Sequence, residues 1–273
     1  MRAVHSIFAA LALGGLAAAG LGAADLATAP AVAQETPELP HQQWSWQGPF
    51  GTFDLAAAQR GFQVYSEVCS TCHSMKELHY RDLAGIGLTP EQIQAVAAAV
   101  TVPQGLDDQG QPKEGPGTPG SQFRSPFPNE QAARAALNGA LPPDLSLIVK
   151  ERAAGLGALP WSASGADYVY DLLTGFKDAP PNEKMPDNSY YNVYFPGHHI
   201  AMPPPLSDDV VTYGDGTKAT TAQEAHDVVT FLTWAAEPTM EDRKRNGAKV
   251  LIFLVVLTGL LYAAKRKIWA DVH

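Results

Sequence analysis

Cys69-Ser70-Thr71-Cys72-His73 is a C-x-x-C-H motif that contains both cysteines of this 273-residue chain. Cysteines three positions apart at a helix end lie on one face, so they can form thioethers to the two vinyl groups of one porphyrin. His73 then projects toward the iron as the proximal ligand. The motif therefore predicts one covalently bound haem c, which also supplies an apolar body around which loops can fold.

Three other uses of the motif compete with haem attachment. A redox-active cysteine pair is expected within a βαβ unit, and the sequence around the motif does not predict one. A structural disulfide between Cys69 and Cys72 is a second alternative in an oxidising compartment. A zinc site with another histidine is the third, although adjacent Cys72 and His73 converge poorly on one metal. Two cysteines exclude any four-cysteine metal or iron–sulfur site and any disulfide-stapled mini-domain.

The second axial ligand of the iron is left open by the residues alone. Methionine suits electron transfer because a thioether raises the reduction potential, whereas a second histidine lowers it. Met75 is too close to His73 to reach the opposite haem face. Met202 is slightly favoured, because the stiff sequence over residues 200–205, Ile-Ala-Met-Pro-Pro-Pro, can hold its sulfur in place. The rival ligands on the same long loop are Met185, His198 and His199.

The N-terminus has the pattern of a secretory signal peptide at residues 1–33. A short positive region is followed by an uncharged stretch over residues 7–24, and Ala31-Val32-Ala33 forms a small-x-small cleavage pattern. An N-terminal membrane anchor is the alternative. Cleavage after Ala33 predicts that the mature domain is exported from the cytoplasm.

The C-terminus carries a second apolar segment, VLIFLVVLTGLLYAA over residues 250–264. At about 1.5 Å per residue it spans roughly 22 Å, which falls short of a hydrocarbon core of about 30 Å. Flanking lysines can extend it, because their stems enter the apolar layer while their charges stay outside. We therefore predict a transmembrane anchor helix at residues 241–267 and a cytoplasmic tail at 268–273, and a buried core helix is the alternative.

The region between the ends, residues 34–240, is predicted to be an all-α periplasmic haem domain with long loops. Helix caps and apolar periodicity predict helices that begin near Asp54, Thr89, Asn129, Ala166 and Ala222. Proline and glycine are concentrated in residues 103–128 and 178–218, which favours loops there. A run of alternating strands is not evident. This organisation predicts a single-pass protein of the bacterial inner membrane.

The charge balance restricts the partners of the domain. The whole chain has 19 basic and 28 acidic residues, and residues 34–240 alone have 11 and 24, a net charge of −13. A generic nucleic-acid binder is therefore excluded, because phosphate contacts require an excess of lysine and arginine. An acidic surface instead favours fast, salt-sensitive docking of a basic partner.

Several strings of sequence make the chain resemble the cytochrome c1 family, the haem subunits of bacterial cytochrome bc1 (ubiquinol–cytochrome c reductase) complexes. The most specific are Asn-Gly-Ala-Leu-Pro-Pro-Asp-Leu-Ser at residues 138–146 and Tyr-Phe-Pro-Gly at 194–197 with His-His-Ile-Ala-Met-Pro-Pro-Pro after it. The resemblance implies a cytochrome c-like domain with thioethers at Cys69 and Cys72. It also implies His73 and Met202 as axial ligands and Arg152 as the partner of a haem propionate.

The resemblance further implies a function without bond-making catalysis by this chain alone. Members accept one electron from the Rieske iron–sulfur protein and pass it to soluble cytochrome c, in a complex with cytochrome b. The main alternative is another membrane-anchored periplasmic c-type cytochrome, either a mobile carrier or an oxidase subunit. A periplasmic anchor or assembly protein without haem is the alternative from a different class.

Overall fold

The computed structural model describes residues 39–153 and 164–271, so the predicted signal peptide at 1–33 lies outside the described residues. Seven α-helices and two short antiparallel β-hairpins occur in this part of the chain. The helices are α1 (Leu55–Glu67), α2 (Pro90–Ala98), α3 (Glu130–Ala136), α4 (Ile148–Ala153), α5 (Gly165–Thr174), α6 (Thr221–Ala236) and α7 (Met240–Ile268). The strands are β1 (Thr101–Leu106), β2 (Pro112–Pro116), β3 (Tyr190–Tyr191) and β4 (His199–Ile200), and 3-10 turns cover Cys69–Thr71 and Tyr80–Ile86.

The predominantly helical fold class is confirmed, and five helices begin close to where their capping residues predict. Asp54 accepts hydrogen bonds from the backbone N–H groups of Ala56 and Ala57 at 3.0 and 3.1 Å. Thr89 and Gln92 form a capping box at the start of α2. Such caps satisfy N–H groups that have no partner inside the helix, which is why local sequence is sufficient to locate them.

Two hairpins lie inside segments that composition assigned to loops. The larger one pairs β1 with β2, and its turn is held by Asp107, whose Oδ1 accepts from the N–H groups of Gln109 and Gln111 at 3.0 and 2.8 Å. The strands contain prolines and glycines and are almost entirely exposed, so their sequences lack the alternating apolar pattern that predicts a strand. The prediction of an unstructured loop is therefore wrong at this place, while the surrounding chain remains irregular.

Helices α1 and α6 pack directly against each other and form the centre of the core. The carbonyl of Asp227 on α6 occupies the place that a Cβ at Gly61 on α1 would take. The ring of Phe231 contacts those of Phe62 and Tyr65, with centroids 5.5 and 5.7 Å apart. Arg60 closes the pair on one side with two hydrogen bonds of 2.8 and 3.0 Å to the buried carboxylate of Asp227. This helix pair fixes the end of α1, from which the C-x-x-C-H turn continues.

We expect Gly61→Ala to destabilise the domain by about 3 kcal/mol, because overpacking of a rigid helix contact forces backbone movement. The new methyl group would collide with backbone atoms of Asp227 rather than with a side chain that can rotate. Chemical denaturation of the haem-loaded protein measures the loss. Gly214→Ala is the matched control, since nothing lies within 4 Å of its added Cβ. Equal stability of both variants would contradict the packing described here.

Helix α5 holds two buried carboxylates one turn apart. Asp167 accepts hydrogen bonds from Gln42 N–H at 3.0 Å, from the indole N–H of Trp44 at 2.8 Å and from Ser164. It thereby fastens the N-terminal arm, residues 39–53, to the domain. Asp171 is only 2% exposed, and its Oδ2 has no hydrogen-bond partner among the described residues. Burial and then the charge of Asp167 raise the pKa of Asp171 to about 7.

This raised pKa makes the stability depend on pH in a defined direction. The folded state binds the Asp171 proton more tightly than the unfolded chain, so the free energy of unfolding falls as pH rises from about 4 to 7. We expect Asp171→Asn to raise the melting temperature more at pH 8 than at pH 5. Thermal unfolding at both values measures this difference, and Asp178→Asn on the exposed loop after α5 is the control. A gain that is independent of pH would contradict the assignment.

Helix α7 leaves the domain after the buried Met240 and is exposed from Val250 onward. It has 29 residues, or about 44 Å, and the most apolar window has a mean hydropathy of 2.1 with no part buried against the domain. Tyr262 and Trp269, near its C-terminal end, are also exposed. By length and composition, α7 can cross a membrane, in line with the predicted anchor.

Candidate haem-attachment site

The C-x-x-C-H motif forms a tight turn that continues directly from α1. The N–H groups of Cys72 and His73 both donate to the carbonyl of Cys69, at 3.1 and 2.9 Å. Cys69, Cys72 and His73 are therefore brought together within a single turn, as the spacing predicts. In the part of the chain that the structure describes, both cysteines are free thiols and half-buried. Burial raises the pKa of Cys69 to about 12, so its thiol is uncharged.

The imidazole of His73 is oriented by a backbone carbonyl on a distant segment. Its Nδ1 lies 2.8 Å from the carbonyl oxygen of Pro143. Because a carbonyl can only accept, Nδ1 carries the proton and the lone pair of Nε2 is free for a metal. Burial lowers the pKa of His73, against a smaller raising effect of the Pro143 hydrogen bond, so the neutral form is favoured. A neutral imidazole with a fixed tautomer is the form that ligates iron.

Asp144 fastens the segment of Pro143 to the chain that follows the motif. Its carboxylate accepts from Ser74 Oγ at 2.7 Å, from Lys76 N–H at 2.9 Å and from Ser146 N–H at 2.9 Å. Burial alone would raise the pKa of Asp144, but these hydrogen bonds, first that from Ser146, bring it below its usual value. The charged carboxylate thus keeps the Pro143 carbonyl in place beside His73.

The sequence did not predict that the segment of Pro143 and Asp144 orients His73, although this segment lies within the family-specific string at residues 138–146. Leu145 N–H also donates to the carbonyl of Ser74 at 2.9 Å, and Glu77 N–H to Ser146 Oγ at 3.0 Å. These partners are about 70 residues apart in the chain, and no local pattern reveals such pairs. The Pro-Pro-Asp sequence was the available signal, because a stiff segment with one acid is suited to present a carbonyl.

The candidates for the second axial ligand lie on the loop between α5 and α6. Met202 is half-buried just after β4. The Nε2–H of His199 donates to Oε1 of Glu183 at 2.7 Å, so that ring nitrogen already has a partner. His198 has its Nδ1 3.1 Å from the carbonyl of Asn192 and a left-handed backbone with φ of 61°. The Nε2 of His199 is therefore occupied, whereas His198 keeps a free Nε2 among the described residues, so these contacts disfavour His199 and do not choose between Met202 and His198.

The buried Asn192 organises this loop. Its Nδ2 donates to the carbonyl of Leu172 at 2.8 Å, and its Oδ1 accepts from Tyr194 N–H at 3.0 Å. The loop that carries Met202 is therefore attached to α5 rather than free in solvent. Sequence composition indicated a long loop here but could not indicate this attachment.

Arg152 lies on α4, and its side chain is 40% exposed. Its Nη1 is 4.0 Å from the carboxylate of the neighbouring Glu151, the weak kind of contact that exposed ion pairs make. A half-exposed guanidinium with this partner stays available to a propionate, so the expectation for Arg152 stands as a proposal.

The donor set fits a haem better than a bare metal ion. Over residues 39–153 and 164–271, no group of three or more histidine, cysteine and acidic side chains converges as a metal site. The Cys-Cys-His turn is therefore not arranged as a zinc centre. Two free thiols on one turn and one imidazole with an open Nε2 match the needs of thioether attachment and axial ligation.

A C-x-x-C-H turn at the end of a packed helix, with a C-terminal helix that can cross a membrane, defines the class of membrane-anchored c-type cytochromes. The model of the Cytochrome C1 family matches residues 44–272. The chain belongs to the cytochrome c1 family, whose cofactor is c-type haem and whose members are the haem subunit of the cytochrome bc1 complex.

Individual relatives cover most of the chain. Cytochrome c1 from Rhodospirillum rubrum is 44% identical over 99% of this chain and 97% of its own length. The mitochondrial cytochrome c1 heme protein of Saccharomyces cerevisiae is 47% identical over 91% of this chain and 78% of its own. A protein named cytochrome b/c1 from Bradyrhizobium diazoefficiens is 50% identical over 86% of this chain, which spans only 36% of that longer protein.

Proposed function

We propose that this chain attaches one haem c through thioethers at Cys69 and Cys72, with His73 and Met202 as axial ligands and Arg152 at a propionate. The observation that carries the proposal is the hydrogen bond from His73 Nδ1 to Pro143, because it leaves Nε2 free within the same turn as two free thiols. The bound haem supplies one-electron exchange between ferric and ferrous iron.

The residues of the chain tune that exchange. The N–H donation from His73 to Pro143 fixes the tautomer and the orientation of the imidazole, and burial keeps the ring neutral. The thioether of Met202 raises the reduction potential, as electron acceptance in a respiratory chain requires. The buried rings of Phe123 and Tyr80, with centroids 4.7 Å apart, belong to the apolar core against which Cys69 packs.

We propose the following role in the assembled complex. The haem domain accepts one electron from the Rieske iron–sulfur protein and donates it to soluble cytochrome c, while α7 and cytochrome b hold it in the membrane. The names of two relatives support membership of such a complex, namely cytochrome b/c1 of Bradyrhizobium diazoefficiens and the cytochrome b-c1 complex catalytic subunit of Candida albicans.

The proposed orientation places the haem domain, residues 34–240, in the periplasm and the tail, residues 268–273, in the cytoplasm. It rests on the signal-peptide pattern at 1–33 together with one anchor at 241–267. Basic residues flank both ends of the anchor, so charge bias does not decide the orientation. The proposed orientation follows from export of the N-terminal domain, because a single anchor then leaves the C-terminal tail in the cytoplasm.

Purification and kinetics together test the function. From detergent-solubilised membranes the chain should copurify with cytochrome b and a Rieske protein. Quinol-driven reduction of soluble cytochrome c by that preparation should slow as ionic strength rises above physiological values, because salt screens attraction between an acidic domain and a basic partner. Purification without these subunits would favour a mobile carrier or an oxidase subunit. A rate that is flat in salt would contradict electrostatic docking.

A further inference from the structure

The turn at residues 46–51 presents an exposed aromatic ring beside the membrane helix. Phe50, at its tip, is 90% exposed, more than any other large apolar side chain among the described residues, including those of α7. A single exposed apolar residue is common on protein surfaces. Phe50 differs from such residues because its turn is attached to the start of the membrane helix α7.

The turn is fastened to the start of α7 at both of its ends. Lys244 on α7 donates through Nζ to the carbonyls of Trp46 and Gly51, the latter at 3.0 Å. Just beyond the turn, the N–H of Phe53 donates to Oε1 of Glu241 at 2.8 Å. The turn is also tight, since a Cβ at Gly51 would meet the backbone of Trp46. The tip is therefore held at a fixed height relative to the helix.

That height can be compared with the bilayer. Lys244 precedes Val250, the start of the uncharged run, by six residues, or about 9 Å along the helix axis. The run spans about 22 Å, roughly 8 Å less than a hydrocarbon core of about 30 Å. Shared between the two ends, this mismatch moves the membrane about 4 Å toward the domain. Lys244 then lies about 5 Å above the hydrocarbon, within a headgroup layer roughly 6 Å thick.

The basic residues at the start of α7 have contacts within the protein. Arg243 pairs with Glu237, and Arg245 lies 3.6 Å from Asp242. Lys244 is occupied by the two carbonyls of the turn. These three residues keep their positive charge, so attraction to anionic lipid adds to an apolar contact at this place, and zwitterionic lipid separates the two.

We propose that Phe50 is an interfacial membrane contact, in which its ring inserts at the boundary between headgroups and acyl chains on the haem-domain side of the bilayer. The partner is the lipid surface itself, and the contact restrains the tilt of the haem domain on α7. The proposal rests on the proposed anchoring by α7. The contact is expected to persist in zwitterionic lipid and at high salt, because it is apolar rather than electrostatic.

Site-directed spin labelling of the full haem-loaded chain tests the proposal. Haem attachment consumes both native cysteines, so Phe50→Cys creates one labelling site, and a residue 90% exposed can be replaced without loss of folding. In phosphatidylcholine nanodiscs, we expect the Phe50 label to be more accessible to oxygen and less accessible to a water-soluble nickel complex than a label at Leu106→Cys. Leu106, on β1, is exposed as well, so it reports the value for a water-facing apolar position.

A third label separates failure of this proposal from failure of the anchoring. Leu257→Cys, in the middle of the apolar run, should be accessible to oxygen and shielded from nickel if α7 spans the membrane. A lipid signal at Leu257 with a water signal at Phe50 overturns the interfacial contact alone. A water signal at both positions overturns the anchoring and the contact together. Shielding of the Phe50 label from both reagents in the assembled complex also overturns the proposal, because another protein then covers the turn.

Discussion

Met202→Leu is expected to lower the midpoint potential of the haem by on the order of a hundred millivolts or more, because loss of the thioether removes the ligand that stabilises ferrous iron. Leucine has nearly the volume of methionine, so the loop should keep its fold. The haem should stay attached, since Cys69 and Cys72 are unchanged. A redox titration of the variant beside wild type measures the shift, and the ferric spectrum should lose its sulfur-to-iron charge-transfer band.

Two control variants make this result specific to the ligand. Met185→Leu removes the other methionine of the same loop and should leave the potential near the wild-type value. His199→Gln removes one of the two rival histidines, whose Nε2 already contacts Glu183 at 2.7 Å, and should also leave the potential unchanged. An unchanged potential in Met202→Leu, with a large shift in either control, would transfer the axial role to the other residue.

The double variant Cys69→Ser, Cys72→Ser is expected to abolish covalent haem. Hydroxyl groups at these positions cannot add to the porphyrin vinyl groups as thiols do, and the axial ligands alone would hold haem only reversibly. Haem-stained denaturing gels should therefore show no stained band for the variant. Each single variant should keep one thioether and show a pyridine haemochrome band shifted by the remaining vinyl group.

A substitution within the same turn controls for folding of the motif. Ser70 Oγ donates to the carbonyl of Ser66 at 2.7 Å and supplies no group that the proposed haem attachment uses. Ser70→Ala should therefore keep normal haem staining. If the double cysteine variant retained stained haem after denaturation, another residue would have to carry the covalent bond.

The elements that sequence could predict are those whose cause is local. Asp54 and Thr89 locate the starts of α1 and α2, because each cap satisfies N–H groups within its own first turn. The turn of Cys69, Cys72 and His73 is likewise determined by a spacing of a few residues. The long apolar run of α7 is recognisable because its composition alone sets it apart from the domain.

The elements that sequence could not predict depend on distant partners. The carbonyl of Pro143 orients His73, and only the folded chain brings the two together across 70 positions. Asn192 attaches the loop of Met202 to α5 by a hydrogen bond to Leu172 across 20 positions. Helix α4 has six residues and no described capping side chain, so it gave too short a pattern to recognise.

Mass spectrometry of the mature protein determines whether a haem is attached to the turn at residues 69–73. The intact polypeptide should exceed the mass of its amino acids by one haem, and the peptide that contains Cys69 and Cys72 should carry the whole excess. A mature polypeptide without added mass, or with the added mass on another peptide, would contradict haem attachment at Cys69 and Cys72.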